Sequence, residues 1–315
     1  MENSTTVESD IVDAKFDTNV ITHIFAIPLA LFGLFADATS LYLIRKSEQY
    51  QNVFGILCTS YLLFHLQTLS ALLIWTLVRI VVFLKLVTNF PWAIFVRITS
   101  PIANSTLFAA IWIQFVLAIN RLWAISYPIT YNRIFNPKNA RIIVVSLWSF
   151  SVIITVLYYN VECENYFEAD RYSWSTLYGP CKHPFLAYIA ALLSDAIILI
   201  TVIIDAIAFY RIIIYLKRKK NQRTNIRQEN LGEEIVFLKE TCVSAIIHGF
   251  FAAIFHIDGP FIARVTKVTY TWLAINTLDS LAFVFFNRNL LMNRNAVRAC
   301  IETNSVVKIA STRKF

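Results

Sequence analysis

The sequence predicts an all-α membrane protein: a seven-transmembrane helix bundle with its N-terminus extracellular and its C-terminus cytoplasmic. Three observations carry this expectation. The chain of 315 residues is 57% hydrophobic and only 15% charged, with 25 Phe, and its mean hydropathy is +0.58. That is too apolar for a water-soluble domain. Seven apolar runs follow one another, each near the roughly 20 residues that a helix needs to cross the hydrocarbon core. Finally, 19 of the 28 Lys and Arg fall in the loops and tail assigned to the cytoplasm, eight fall on the other side, and Lys239 sits at the inner end of the sixth run. Cytoplasmic loops of membrane proteins carry such an excess. The expected organisation is an extracellular segment 1–18, a seven-helix domain 19–287 and a cytoplasmic tail 288–315.

The first span, Asn19–Ile44, follows a short acidic segment in which Glu2, Glu8, Asp10, Asp13 and Asp17 face a single Lys15. Such a segment does not read as a cleaved signal. Its Asn3-Ser4-Thr5 triplet makes Asn3 a glycosylation acceptor. The second span, Val53–Val78, contains His65. The stretch after it is itself apolar, yet Arg79 and Lys85 mark it as a loop or a lengthened helix end. The third span, Ile98–Trp123, aligns Ala103, Leu107, Ala110, Gln114 and Arg121 on one side. Small residues near its outer end leave room for a ligand above Gln114. The fourth span is Ile142–Tyr159. In the fifth, Phe185–Ile212, a stripe holds Ser194, Thr201 and Asp205 with Asp195 adjacent. The sixth, Ile235–Phe255, lines up Ser244, His248, Phe251 and Phe255, with His256 next to them. In the seventh, Thr269–Phe286, residues Trp272, Asn276, Asp279, Phe283 and Phe286 recur at i, i+4, i+7, i+11 and i+14, one face of a helix.

Polar residues within a membrane span must face the bundle interior or a water-filled cavity. On that ground Asp37 of the first span and His65 of the second are expected to meet as a buried acid–imidazole pair, which favours a charged His. A plain hydrogen-bonded clamp between the two helices fits equally. A ligand site between the outer halves is expected to be mainly apolar with few polar anchors, for which Gln114, Asp195, His248, His256 and Trp272 are the candidates. Each of these also suits ordinary packing.

The segment Leu117–Tyr131, LAINRLWAISYPITY, carries the functional signal. A lone Arg121 stands where a buried helix meets a cytoplasmic loop, and an arginine at mid-bilayer costs roughly 2.5–3.5 kcal/mol on insertion scales. Asn120 precedes it; Ala124, Ile125, Pro128 and Tyr131 follow. The segment resembles the end of the third helix of rhodopsin-like seven-helix receptors, with Asn120 in place of the usual acid and Leu122 in place of the usual tyrosine. Its Ala-Ile-Asn-Arg form is similar to that of nematode serpentine chemoreceptors. The resemblance to their Srx class extends through VFGILCTS at Val53–Ser60, Asp205, the Glu234–Phe237 run with Glu240, and Asn287, so that it spans about Gly33 to Asn287.

This resemblance implies a chemosensory receptor in the cell membrane, including sensory cilia. Such a receptor detects an odorant or small peptide and couples to a heterotrimeric G protein. It assigns the coupling and activation roles to Asn120, Arg121, Pro128, Tyr131, Asp279 and Phe283. With no acid next to Arg121, Glu240 on the sixth span is the expected restraint. Asp279-Ser280-Leu281-Ala282-Phe283 stands where the family has Asn/Asp-Pro-x-x-Tyr, so Asp279 is expected to reach the second helix and Phe283 to pack above Arg121. Cys163 and Cys181, the cysteines of the expected extracellular side, enclose Trp174 in CENYFEADRYSWSTLYGPC. The Srx loop implies that they pair, closing the loop on itself as a lid. An extracellular pair is expected to be oxidised, and the closure contributes about 3 kcal/mol in the chain-entropy model.

Other classes find little support. No His-Glu-x-x-His, phosphate-cradling glycine loop or Gly-x-Ser-x-Gly occurs, so no catalytic residue is assigned and an enzyme is not expected. The five histidines are scattered, which gives no metal site, and no cofactor is expected. The net charge of +8 needs no nucleic acid, because its cations collect where anionic membrane lipids attract them. A transporter or channel without G-protein coupling is the alternative. Transporters tend to show internal repeats and broken mid-membrane helices; the chain has no repeat, and Pro28 is its clearest intramembrane proline.

Overall fold

In the computed structural model, the chain is described over residues 3–46, 50–84, 86–87, 90–161, 166–168, 173–175, 185–221, 242–250, 253 and 261–287. Its elements are α1 (Asn3–Lys46), α2 (Val53–Phe83), α3 (Trp92–Ser126), α4 (Pro128–Ile134), α5 (Pro137–Val161), β1 (Tyr166–Glu168), β2 (Ser173–Ser175), α6 (Phe185–Asn221) and α8 (Phe261–Phe286). Helical residues 242–250 between the last two form α7. Among the described residues, five helices are long and apolar enough to cross a membrane: Ile24–Lys46, Val53–Val82, Pro101–Ser126, Pro137–Val156 and Leu192–Ile214. The shorter apolar stretch Thr271–Phe286 joins them.

Local sequence explains where the helices stop and start. Asn52 caps α2, its side chain accepting the Gly55 amide at 3.0 Å. Residue 55 must be glycine, because an added Cβ would lie 1.7 Å from the Tyr50 carbonyl oxygen. Pro128 opens α4 at its first turn, where the missing N–H costs nothing. Asn136 caps α5 by accepting the amides of Lys138 and Asn139 at 3.1 and 2.9 Å. The ambiguous stretch after the second span resolves as longer helix ends, since α2 runs to Phe83 and α3 starts at Trp92. α1 likewise begins at Asn3 and takes in most of the expected N-terminal segment. The short helix α4 was not foreseen.

The bundle is inverted relative to a soluble protein. Phe35, Ile142, Leu199, Ile246 and Phe285 face outward, while Asp37, His65, Gln114, Arg121, Asp205 and Asp279 are buried. This is the arrangement that hydrocarbon imposes, since polar groups must be satisfied within the protein. α3 is the central helix and packs on α2, α5 and α6; α1 packs on α2 and α8. The α1–α8 approach is close at Gly33, where a Cβ would meet Thr277 Oγ1 at 2.5 Å and Leu69 Cδ1 at 2.9 Å.

Between Cys163 and Cys181 the chain forms an antiparallel hairpin, with Phe167 opposite Trp174, and β2 lies against α8. Both cysteines fall outside the described residues, as do Glu240 and His256. Asn3 starts α1, and its side chain also lies outside the description.

Candidate functional site

Arg121 sits on the last turns of α3 and is only 6% exposed. Its Nη2 donates to Asp205 Oδ1 of α6 at 2.6 Å, an ion pair with both side chains buried. Burying a cation requires an acid at the same depth, and α6 supplies it. Asp205 is therefore the acid paired with Arg121 among the described residues; Glu240, the restraint expected from the sequence, lies outside them. Sequence spacing gave no means of pairing two residues 84 positions apart. The signals for Asp205 were the polar stripe on which it lies and its place in the Srx resemblance, and neither names a partner. Around this pair, Leu122 and Ile125 of α3 and Cys242 of α7 pack against Ala208 and Ile212 of α6. Arg211 adds a second tie between α6 and α3, donating to Ser126 Oγ at 2.7 Å.

Asn120 faces the other way. Its Oδ1 accepts the Tyr131 hydroxyl at 3.0 Å, so α4 is fastened to the end of α3. Burial raises the Tyr131 phenol above its ordinary range, partly offset by that hydrogen bond. The Asn120 amide gives Tyr131 an acceptor without placing a negative charge beside Arg121. Pro128 begins α4 and thereby sets the turn that carries Tyr131.

A second polar cluster joins four helices further into the bundle. The Tyr61 hydroxyl of α2 donates to Asp279 Oδ2 of α8. Gln114 of α3 donates to Ser244 Oγ of α7 at 2.9 Å and lies 3.3 Å from His248 Nδ1. His248 Nδ1 is also 3.0 Å from the Ser244 carbonyl and 3.4 Å from Asp279 Oδ2, an ion pair when the ring is protonated. Phe283 belongs to the core cluster containing Leu57, Cys58, Tyr61 and Leu117, with its ring 5.6 Å from that of Tyr50. A small cavity separates this cluster from Arg121 and is lined by Tyr61, Gln114, Ser244, Asp279, Phe283 and Arg121 itself, among others.

The remaining candidates do not assemble as expected. Asp37 does not hydrogen-bond to His65. Its carboxylate accepts the Ser280 hydroxyl of α8, because the Gly33 notch draws α1 toward α8 instead. His65 stacks on Tyr61, with ring centroids 4.1 Å apart, and its Nδ1 has no hydrogen-bond partner among the described residues. Gln114 and His248 are brought together, but they engage each other and Ser244. Trp272 packs against the α1–α2 cluster of Ala26, Ala30, Leu69 and Leu72. Asp195 is half-buried on α6. Among the described residues no group of three or more His, Cys, Asp or Glu has the arrangement to hold a metal.

Comparison with curated proteins gave no match. Residues 27–287, by contrast, match a family described as serpentine type seven-transmembrane G-protein-coupled chemoreceptors, class Srx. The match covers the whole bundle from the middle of α1 to the end of α8, including both polar clusters. With so much of the bundle matched, the chain belongs to the Srx family of serpentine seven-transmembrane chemoreceptors.

Proposed function

We propose that the chain detects a small external ligand, an odorant or small peptide, and passes the signal to a heterotrimeric G protein at the Arg121 end of the bundle. In this reading the N-terminus and the Cys163–Cys181 loop face outside, with the two cysteines paired over the ligand entrance. The Arg121 end faces the cytoplasm, as the distribution of Lys and Arg favours. The observation that carries the reading is the buried Arg121–Asp205 pair, 2.6 Å long and spanning two helices. A cation held in this way has two distinct states, paired or released. A ligand that binds better to the released state shifts the population toward it by its differential affinity.

Activation then requires α6 and α7 to part from α3. That motion separates Asp205 from Arg121 and breaks the Gln114–Ser244 contact. Ile129, 94% exposed on the first turn of α4, offers an apolar contact to the G protein. The basic end of α6, from Lys217 to Lys220, attracts anionic lipid headgroups on the same face.

The test is a calcium readout in cells that display the protein together with a promiscuous G protein, screened against an extract library. Arg121→Ala at wild-type surface level is expected to abolish the response. A variant that answers ligand as the wild type does removes Arg121 from the mechanism.

A further inference from the structure

The cations at the Arg121 end of the bundle are not alike. Arg121 is paired with Asp205, Arg211 donates to Ser126 Oγ, and Lys46 lies 5.0 Å from the centre of the Tyr42 ring. Arg133, Lys138 and Arg141 are exposed, and among the described residues their side chains have no hydrogen-bond or ion-pair partner. The neighbouring sequence offers none, since residues 49–161 contain no Asp or Glu. Arg133 is in the last turn of α4, Lys138 is in the first turn of α5, and Arg141 follows it closely. The turn between them is fixed. Phe135 is buried in the core cluster, Asn136 caps α5, and Asn139 Nδ2 donates to the Ile134 carbonyl at 2.8 Å. A helix N-terminus carries about half a positive charge and favours acids, yet the first turn of α5 has none. Lys138 and Arg141 therefore oppose the helix dipole, and an anion from outside relieves both.

The face leading away from this corner is apolar. Lys138, Arg141, Val145 and Trp148 fall at i, i+3, i+7 and i+10, one side of a helix, and Val145 and Trp148 are 61% and 43% exposed. At 1.5 Å per residue, Trp148 lies roughly 15 Å along the axis from Lys138. We propose that the α4–α5 corner binds a polyanionic phospholipid, one whose headgroup carries phosphomonoesters on an inositol ring. A monoanionic headgroup neutralises one cation, whereas several phosphate groups meet Arg133, Lys138 and Arg141 together. Each of the two arginines can take a phosphate through two parallel N–H bonds. Val145 and Trp148 receive the acyl chain. The bound headgroup ties α4 to α5 and so holds the short helix that carries Ile129 and Tyr131. This inference rests on the reading above that the Arg121 end faces the cytoplasm, where anionic lipids of this kind are met.

The test measures how well the purified full chain in phosphatidylcholine nanodiscs retains a phosphatidylinositol bisphosphate, by native mass spectrometry and by the thermal midpoint. Phosphatidylserine at equal total charge is the comparison lipid. The wild type is expected to retain the bisphosphate in preference and to melt higher with it, since a ligand of the folded state raises the midpoint. The triple variant Arg133→Gln, Lys138→Gln, Arg141→Gln is expected to weaken retention about tenfold or more. Lys217→Gln, Lys219→Gln, Lys220→Gln, which removes the same charge from the end of α6, is expected to change it by less than about threefold. Equal losses in the two triple variants, or equal retention of phosphatidylserine, overturn the site in favour of diffuse attraction. Nanodiscs offer the same lipids in both leaflets, so the result does not depend on which end faces the cytoplasm. A chain that binds the lipid at this corner yet fails to signal refutes the function proposed above and leaves the site standing.

Discussion

Substituting Asp205 by Asn removes a charge while keeping a carbonyl oxygen where Oδ1 now accepts from Arg121 at 2.6 Å. A hydrogen bond to a charged acceptor contributes about 1.5–3 kcal/mol and a neutral one about 0.5–1.5 kcal/mol, so the change weakens the α3–α6 tie by about 1–1.5 kcal/mol. If the tie exists only in the resting state, that difference enters the resting-to-active equilibrium directly, and each 1.4 kcal/mol is about tenfold. Asp205→Asn is therefore expected to raise ligand-free signalling several-fold, up to about tenfold. Full removal of the acid by Asp205→Ala leaves Arg121 buried and unpaired, a loss of about 3–5 kcal/mol, and is expected to reduce surface level as well. The assay is basal second-messenger output normalised to surface protein, measured with an extracellular tag. An Asp205→Asn variant at normal surface level whose basal output is unchanged or lower refutes the argument that this pair restrains the resting state.

Other consequences are independent of it. Ile129→Ala is expected to weaken coupling with surface level intact, since burying such a side chain contributes about 1.5–3 kcal/mol; the check is second-messenger output per displayed receptor. Gly33→Ala places a Cβ 2.5 Å from Thr277 Oγ1 and 2.9 Å from Leu69 Cδ1, and overpacking of this kind costs about 1–3 kcal/mol. A lower thermal midpoint in detergent is expected; an unchanged one shows that α1 and α8 give way cheaply. Tyr131→Phe deletes the bond to Asn120, worth about 0.5–1.5 kcal/mol, and is expected to increase hydrogen exchange in α4. Cys163→Ser, Cys181→Ser and the double variant are expected to lose the same stability, about 3 kcal/mol; additive losses argue that the two sulfurs are not joined.

The membrane class was readable because hydrocarbon acts on composition, and composition needs no coordinates. That Arg121 would need a buried partner was readable for a related reason: a lone cation in an apolar run calls for one. Its partner was not. Asp205 and Asp37 both appear in sequence as isolated acids, and only helix rotation decides which neighbour each one meets. The notch at Gly33 rotates Asp37 toward Ser280, and α6 turns Asp205 toward α3. The Gln114–His248 contact was hidden for the same reason. The sequence periodicity put both on inward faces, but whether an inward face borders a pocket or another side chain depends on how closely α3 and α7 approach. The helix α4 escaped notice because its seven residues are too few for a periodic signal.

One contact divides the bundle mechanically. The Tyr50 hydroxyl donates to Asn287 Oδ1 at 2.7 Å, while the Tyr50 backbone is seated against Gly55. The turn between α1 and α2 is thus bolted to the first residue after α8. With Asp37–Ser280 and Thr277 binding the same helices further along, α1, α2 and α8 form a stator. Among the described helices α6 packs on α3, so the proposed motion of α6 would leave this body intact. On the proposed mechanism, a label at Asn287 should stay still relative to α2 during signalling, so that a distance from there to the end of α6 reads the movement of α6 alone.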